Sequence, residues 1–351
     1  MQIVIVHNRI STLAGKDDLD ILVQVEAVSR TLSELGHSSV SLDFTLDLTC
    51  VEKTLEGAHP DIVFNLSDSL QGEGEFIHFI PTVLDHLGIP YTGCPAESIF
   101  LTSNKVLAKK IMRMGGVPTP DWLTVEDNPC VEASPGPSLN KRVEGRKELE
   151  HNFTPGRFVL KSIWEHASAG LDMSSVVKVN DVQELRELLR FRVCGCFAER
   201  YIEGREFNLS LLGSKYSVML LAPAEMQFVD FPQGTPKILG YRAKWHEDSE
   251  EYRNTRRSFQ TAESDSELLN RMEDIALKCW FLFNLNGYAR VDFRTDERGN
   301  PYVLEINANP CISPESGFVA AAQQSGIDYP SIIDHIILSP VWSRGRMVGP
   351  V

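Results

Sequence analysis

The sequence predicts an α/β lobe at the amino terminus, followed by a mixed and largely antiparallel α+β portion. Short β-branched runs at residues 2–7, 39–42 and 62–65 alternate with helix-length segments, a pattern typical of a parallel sheet with crossover helices. Four later strand-like runs come in quick succession, at residues 158–161, 196–201, 207–212 and 217–221. With 351 residues, 42% of them hydrophobic, the chain is long enough for two or three lobes with cores of their own.

The first lobe begins with a strand, a polar loop and an amphipathic helix. The helix is predicted from apolar residues at steps of four and three that end at Gly36, namely Ile21, Val25, Val28, Leu32 and Leu35. We expect this lobe to end near residue 96. A dinucleotide-binding lobe would carry a G-x-G-x-x-G turn after the first strand, whereas this strand continues into His7-Asn-Arg-Ile-Ser11, which argues against that class.

The remainder divides into a central lobe, residues 97–195, and a carboxyl-terminal lobe, residues 196–345. Residues 104–114 are predicted to be helical, and Gly115-Gly116 followed by Pro118-Thr119-Pro120 forces an extended exit. Residues 126–157 are rich in Pro, Gly, Ser and charge, so we predict a surface insertion with a short helix around Lys147. Further helices are expected near residues 181–189 and 266–283.

Composition excludes several functional classes. The net charge of −14 and the lack of a basic stripe argue against a nucleic-acid partner. No stretch approaches the ~18 uninterrupted apolar residues of a membrane span, and the first residues lack the basic and apolar segments of a signal peptide. We therefore expect a soluble, cytoplasmic protein. Its seven cysteines are scattered without a C-x-x-C pair, which predicts free and mostly buried thiols.

The most informative segment is a predicted hairpin over residues 287–307. If the chain turns tightly at Arg298-Gly299, Asp292 lies opposite Glu305 and Arg290 lies opposite Asn307. The strand period of two then places these four side chains on one face. Three oxygen ligands and a guanidinium on one face suit a pair of magnesium ions bound to a polyphosphate. The same pattern also fits the solvated face of a hairpin with a cross-strand ion pair.

The hairpin motif also carries a family resemblance. The run Arg290-x-Asp292 followed by Glu305-x-Asn307-x-x-Pro310 resembles the metal-binding end of ATP-grasp ligases, in particular the D-alanine:D-alanine ligase-like group. Further segments similar to that group occur in the same order: Tyr91-Thr-Gly93, Asn104-Lys105, Pro118-Thr-Pro120, Val159-Leu-Lys161 with Ser168-Ala-Gly170, residues 197–207, and Ala243-Lys244. The resemblance covers roughly residues 62–330 and implies an ATP-grasp fold.

The resemblance implies a set of nucleotide-binding residues. Lysines would reach the phosphates as point charges, a small-residue loop would fold over them, and one strand would offer its backbone to adenine. The phosphate lysines are Lys105, Lys161 and Lys244; the loop residues are Ser168 and Gly170; the adenine segment holds Glu199, Arg200 and Ile202; Glu206 would bind the ribose, and Leu304 is placed beside the nucleotide. His166 and Ala167 depart from the usual Gly and Ser of that loop. Residues 245–257 would form a mobile loop, with Arg253, Arg256 and Arg257 expected to face solvent.

The resemblance also implies the catalytic, metal and substrate residues. Asp292 and Glu305 would hold one Mg²⁺ ion, and Glu305 and Asn307 would hold a second, with Mn²⁺ as an accepted substitute. Arg290, together with a backbone N–H near Cys311, would stabilise a tetrahedral oxyanion. Ser168 and Lys244 are assigned to catalysis as well as to ATP binding. Ser316 and Cys311 would bind substrate, although the family usually has Gly in place of Cys311.

The implied reaction is an ADP-forming C–N ligation in two in-line steps. A carboxylate attacks the γ-phosphorus of ATP, and an amine then displaces phosphate from the acyl phosphate. The glutamate that the family places in the loop at residues 8–20 is not recognisable, with Asp17, Asp18 and Asp20 as alternatives, and residues 65–75 lack the usual histidine-glycine pair. We therefore expect amino-acid-like substrates other than two D-alanines.

Several products and one different class stay open at this point. The product could be a dipeptide, an amino-acid amide, or an imine of the kind made by the similar enzymes of mycosporine biosynthesis. A nucleotide-binding regulatory protein without turnover is the other class. The intact set of Arg290, Asp292, Glu305 and Asn307 argues against it, because such a protein has no need of the oxyanion arginine. A homodimer is compatible with the resemblance.

Overall fold

A computed structural model describes residues 1–10, 15–124, 153–164, 170–192, 195–214 and 216–342, without the side chains of residues 16–18. Ser168 and the predicted helix around Lys147 lie outside these residues. Among the helices described, none is both long and apolar enough to cross a membrane. The five cysteines described are free thiols, of which two are buried.

The amino-terminal lobe contains the predicted parallel sheet. Its strand order is β2-β1-β3, with both pairings parallel, and helices connect consecutive strands. The elements are β1 (Gln2–Asn8), α1 (Lys16–Glu34), β2 (Ser38–Phe44), α2 (Leu48–Ala58), β3 (Ile62–Asn65) and α3 (Phe79–Leu87). Gly36, just past α1, has a φ of 83°, a left-handed conformation that favours glycine after a helix.

The second sheet is antiparallel, with strand order β4-β7-β5-β6. The side chain of Asn104 accepts from Leu107 N at 2.8 Å and so caps the predicted helix that follows. The elements are α4 (Ala96–Ser103), α5 (Lys105–Met114), β4 (Trp122–Thr124), β5 (Gly156–Ser162), β6 (Val176–Val179), α6 (Val182–Arg190) and β7 (Cys196–Arg200). The last two residues of the predicted insertion, 156 and 157, are therefore part of a strand.

The third sheet is also antiparallel, with order β11-β10-β8-β12-β13 and with β9 paired to β8. Its elements are β8 (Glu206–Gly213), β9 (Val218–Leu220), β10 (Ala224–Phe228), α7 (Tyr241–Trp245), α8 (Glu250–Arg253), β11 (Thr255–Ser258), α9 (Ser266–Leu282), β12 (Gly287–Thr295), β13 (Pro301–Asn307), α10 (Gly317–Gln324) and α11 (Tyr329–Ile337). The prediction that residues 245–257 form a loop is thus wrong in part, because they include helix α8 and most of the edge strand β11.

Two hydrophobic cores cover the two faces of the third sheet. Trp280 and Phe283 belong to the core that joins α9 to one face, and Tyr288 and Phe318 belong to the core shared with the parallel sheet. Polar contacts also tie the loop after β13 to the first lobe, since Asn309 Nδ2 donates to the Ser67 carbonyl at 2.7 Å. The end of the β12–β13 hairpin is therefore held where all three sheets meet.

Candidate active site

The β12–β13 hairpin has the predicted register at its functional end. Asp292 pairs with Glu305, and Arg290 pairs with Asn307. The turn is not tight, because the loop spans residues 296–300, and a bulge after Asp292 shifts the register by one residue. The bulge offsets the longer loop, so the four side chains meet as the sequence predicts.

The Asp292 carboxylate lies at the centre of a hydrogen-bond cluster. Arg290 binds it in a bidentate manner, with Nε to Oδ1 at 2.7 Å and Nη2 to Oδ2 at 2.8 Å. Asn208 Nδ2 donates to Oδ1 at 2.8 Å, and Asn307 Nδ2 donates to Oδ2 at 3.0 Å. Burial disfavours the charged form of Arg290, but the neighbouring Asp292 outweighs it and raises the pKa of the guanidinium.

Glu305 faces two adjoining cavities and is surrounded by cations. Burial alone would raise the pKa of its carboxyl, but the charges of Lys105, Lys244 and Lys161 outweigh burial and lower it to about 2. Glu305 is therefore ionised at neutral pH. Lys244 lines both cavities as well, and burial, followed by the charge of Arg290, lowers its pKa.

These residues fit a hard cation. Among the described residues no group of three His, Cys, Asp or Glu side chains is arranged to hold a metal ion. The candidate ligands from the sequence are two carboxylates, those of Asp292 and Glu305, and the amide of Asn307. Oxygen ligands of this kind are what magnesium prefers. Asn307 presents its nitrogen to Asp292 and would turn its amide oxygen toward an ion.

The first cavity is a cleft between the second and third sheets with an empty volume of about 870 Å³, including space open to solvent. Apolar side chains line one part of it, among them Val159, Leu171 and Ile238. Every nucleotide-binding residue predicted from the sequence and described here lines this cleft: Lys105, Lys161, Gly170, Glu199, Arg200, Ile202, Glu206, Lys244 and Leu304. Asp292 and Glu305 border it too, so the candidate metal ligands and the lysines line the same cleft.

The Glu199 side chain has a role that the sequence did not predict. It is 1% exposed and lies between two ammonium groups, that of Lys161 at 2.5 Å and that of Lys109. Lys161 is therefore paired within the protein as well as directed at the cleft. In the same segment Arg200 N donates to the Asp121 carbonyl at 2.7 Å, which fixes the strand beside the cleft.

Arg294 is a further cleft residue that the sequence analysis missed. It is 2% exposed, its Nε lies 3.4 Å from Glu206 Oε2, and its Nη1 donates to the Ile202 carbonyl at 3.2 Å. A third contact joins Arg294 Nη2 to the Lys237 carbonyl. Burial is the main cause of the raised pKa of Glu206, and Arg294 opposes it. The spacing Arg290-x-Asp292-x-Arg294 could have revealed this residue, because period two places all three on one strand face.

The second cavity adjoins the first and holds the predicted substrate residues. Arg290, Asn307, Cys311 and Ser316 line it, and its empty volume is about 1980 Å³, including space open to solvent. The Ser316 hydroxyl accepts from Val319 N at 3.3 Å and caps α10, which leaves its O–H free to donate. Three aspartates in the loop at residues 8–20 are alternatives to the family's glutamate. Asp20 lines this cavity, and the side chains of Asp17 and Asp18 are not among those that the structure describes.

Arg257 also lines the second cavity, although we expected it to face solvent. Its guanidinium lies over Gly317 at the start of α10, where an added Cβ would be 3.4 Å from Nη2. Its Nη1 is 3.5 Å from the Ser316 carbonyl. Burial, then the charge of Arg290, lowers the pKa of Arg257. The side chain is exposed, and it lines the second cavity beside Ser316.

A cleft between two antiparallel sheets, lined by three lysines and by paired acids on a hairpin, is the arrangement of an ATP-grasp enzyme. The family model described as D-ala D-ala ligase C-terminus matches residues 111–338, well over half of the chain. The chain belongs to this family, and it is an ATP-dependent carboxylate–amine ligase of the ADP-forming, C–N bond-forming kind.

The chain is similar to several individual proteins over most of its length. The chain is 29% identical over 326 residues to the uncharacterized protein y4sG of Sinorhizobium fredii (strain NBRC 101917 / NGR234), covering 89% of this chain and 85% of that protein. It is 29% identical over 316 residues to a D-alanine–D-alanine ligase of Aquifex aeolicus, covering 89% and 92%. The fold is similar to that of a D-alanine–D-alanine ligase from Bacillus anthracis complexed with ATP, with a TM-score of 0.68, 21% identity and 97% of each chain covered.

Proposed function

We propose that this enzyme activates a carboxylate as an acyl phosphate and transfers it to an amine, and that its substrate pair is not two D-alanines. The observation that carries the proposal is the facing of Asp292 and Glu305 across the hairpin, with Lys105, Lys161 and Lys244 bordering the same cleft. This arrangement concentrates positive charge where the phosphates of ATP would lie and keeps two carboxylates within reach of them.

The individual residues have distinct parts in this reaction. Two Mg²⁺ ions, one held by Asp292 and Glu305 and one by Glu305 and Asn307, would polarise the phosphoryl oxygens and neutralise their charge. The three lysines bind and orient the phosphates. Glu206 receives the ribose hydroxyls, and the apolar wall with Leu304 takes the adenine.

Arg290 joins the two half-reactions because it borders the substrate cavity and is bound to Asp292. Its guanidinium, held ionised by that carboxylate, stabilises the oxyanion formed when the amine attacks the acyl phosphate. A backbone N–H near Cys311 is the second donor of this oxyanion site. Ser168 completes the proposed phosphate loop with Gly170.

Two observations support a substrate pair other than two D-alanines. Asp20 is the described aspartate that could replace the family's glutamate at this cavity, but its Oδ2 already accepts from Gln24 Nε2 at 3.1 Å and from Cys311 Sγ at 3.0 Å. The thiol stands where the family usually has a glycine, so it takes up space beside the carbon that reacts. A wrong fit at the donor end lowers kcat/KM steeply.

The test is ADP release with a panel of amino acids and amines, with the products identified by mass spectrometry. We expect ADP and phosphate release that depends on one carboxylate and one amine, and we expect D-alanine alone to be a poor substrate. Efficient, saturable synthesis of D-alanyl-D-alanine at millimolar D-alanine would overturn the substrate proposal. Nucleotide binding without turnover for any pair would favour the regulatory class, and an imine product would identify the mycosporine-like reaction.

A further inference from the structure

Lys109 is a buried cation that the proposed reaction does not use. It lies on α5 with 1% of its surface exposed, whereas the next residue, Lys110, is exposed. Its Nζ donates to Thr119 Oγ1 at 2.7 Å, pairs with the Glu199 carboxylate, and lies 6.0 Å from the centre of the Trp122 ring. A lysine is almost never so fully buried unless its charge is paired with an opposite charge.

The Glu199 carboxylate is shared between Lys109 and Lys161. Lys161 keeps 17% of its side chain exposed, whereas Lys109 keeps 1%, so only Lys161 can touch a ligand in the cleft. Burial disfavours the ionised Glu199, but the two lysines outweigh burial and hold the pKa of its carboxyl below the usual range. The carboxylate of Glu199 and the ammonium groups of Lys109 and Lys161 together carry a net positive charge. Of the three groups, the ammonium of Lys161 is the most exposed to the cleft.

Lys109 also links the two walls of the cleft. Thr119, which accepts from Lys109, donates through Oγ1 to the Val303 carbonyl at 2.8 Å, and Val303 N donates to the Pro118 carbonyl at 2.8 Å. Val303 is on β13, two residues before Glu305. The ammonium group of Lys109 therefore connects the strand that carries Glu199 to the strand that carries Glu305.

We propose that Lys109 is a positioning residue of the nucleotide site, which occupies Glu199 so that Lys161 stays directed at the phosphates. Without Lys109, both carboxylate oxygens of Glu199 would be available to Lys161. With no second cation beside it, the carboxylate would attract Lys161 more strongly and would cancel more of its charge at the cleft. This inference rests on the proposed function only in assuming that the cleft takes a nucleoside triphosphate.

The test is a double-mutant cycle on nucleotide affinity, measured by calorimetry with a non-hydrolysable ATP analogue and Mg²⁺. Lys109→Met should weaken binding about tenfold, the size of one lost charge-assisted contact. Adding Glu199→Gln should restore affinity to within about threefold of Glu199→Gln alone, because no carboxylate is left to draw Lys161 away. Lys110→Met is the matched control on the same helix and should bind as the wild type does.

The outcomes separate this inference from the proposed function. An effect of Lys109→Met that is the same with and without the Glu199→Gln substitution would show a merely structural role and would overturn the inference. Thr119→Val keeps every charge and should weaken binding about threefold, as expected for one neutral hydrogen bond; it serves if Lys109→Met does not fold, and unchanged affinity in it would count against the inference. A wild-type protein that binds no nucleotide would overturn the proposed function as well.

Discussion

The thiol of Cys311 donates a hydrogen bond to the carboxylate of Asp20 over 3.0 Å, and this contact joins the loop after β13 to helix α1. The Ser313 hydroxyl lies 3.1 Å from the same sulfur. Burial, followed by the charge of Asp20, raises the pKa of Cys311 to about 12. The thiol is therefore a neutral hydrogen-bond donor at the substrate cavity and not a nucleophile.

The first prediction follows from that raised pKa. At pH 8 only about one Cys311 in 10⁴ is a thiolate, and the thiolate is the form that reacts with alkylating agents. We expect iodoacetamide at pH 8 to modify the exposed Cys50 long before Cys311, as measured by peptide mass spectrometry over time. Raising the pH toward 12 should speed the modification of Cys311. Modification of Cys311 at a rate similar to that of Cys50 at pH 8 would contradict the assignment.

The second prediction concerns the effects of replacing each of the two facing carboxylates, Asp292 and Glu305. Glu305→Gln keeps the shape of the side chain and should lower ATP turnover at least about 100-fold. It should also lower the Tm at neutral pH, because the charges of Lys105, Lys244 and Lys161 lose the carboxylate that they stabilise. Asp292→Ala should also lose turnover, but it leaves the guanidinium of Arg290 without its partner and should cost about 3–5 kcal/mol of stability. Thermal melts and ADP assays measure both effects. Glu297→Gln on the exposed hairpin loop is the control, and near-normal turnover by Glu305→Gln would refute the metal assignment.

The third prediction concerns Arg294. Arg294→Lys keeps the charge but loses the planar group that reaches Glu206 and two backbone carbonyls at once. We expect KM for ATP to rise about tenfold, with KM for the amine unchanged, because Arg294 and Glu206 line the nucleotide cleft and not the second cavity. Arg298→Lys, on the exposed loop of the same hairpin, should have wild-type kinetics. An equal rise in both KM values would indicate a general distortion and not a nucleotide effect.

The fourth prediction concerns the acceptor end of the substrate cavity. The resemblance assigns Ser316 to the carboxylate of the acceptor amine, and Arg257→Gln removes the positive charge beside it; we therefore expect KM for an amine substrate that carries a carboxylate to rise about tenfold while KM for ATP stays the same. Arg256→Gln is the matched control, because Arg256 is exposed on the same strand and does not line the cavity. Steady-state kinetics of the two variants test this prediction. The same KM for the amine in Arg257→Gln and Arg256→Gln would show that Arg257 does not contribute to substrate binding.

Local sequence patterns predicted helices α1, α5, α6 and α9 and most of the described strands to within a few residues. They missed strands β4, β6, β10 and β11 and the helices α3, α4, α7, α8, α10 and α11. The register of the hairpin was also predicted correctly, but its turn was not. A loop of residues 296–300 by itself would have placed Asp292 opposite Leu304, and the bulge after Asp292 restores the pairing with Glu305. Bulges depend on packing against neighbouring strands, so a pattern of residue types cannot locate them.

The environment of Glu199 could not be predicted for a different reason. Lys109 and Glu199 are far apart in the chain, and a lysine on a helix is usually solvated. The burial of that pair depends on how α5 packs against β7, which is a property of tertiary structure. Arg257 is exposed as expected, but its place at the cavity could not be predicted, because its position over Gly317 depends on α10 approaching β11.

The pairing of Pro118 and Thr119 with Val303 has a consequence for the whole sheet. Strand β13 is the last strand on its side, and a bare outer strand offers a template on which another chain can add. Here the segment at 118–119 occupies the outer side of β13 at Val303. At the opposite end, β11 is four residues long and presents Arg256 and Arg257. Short, charged outer strands such as β11 resist edge-to-edge pairing with another chain. At β13 the hydrogen bonds to Pro118 and Thr119, which also shape the nucleotide cleft, oppose such pairing at Val303.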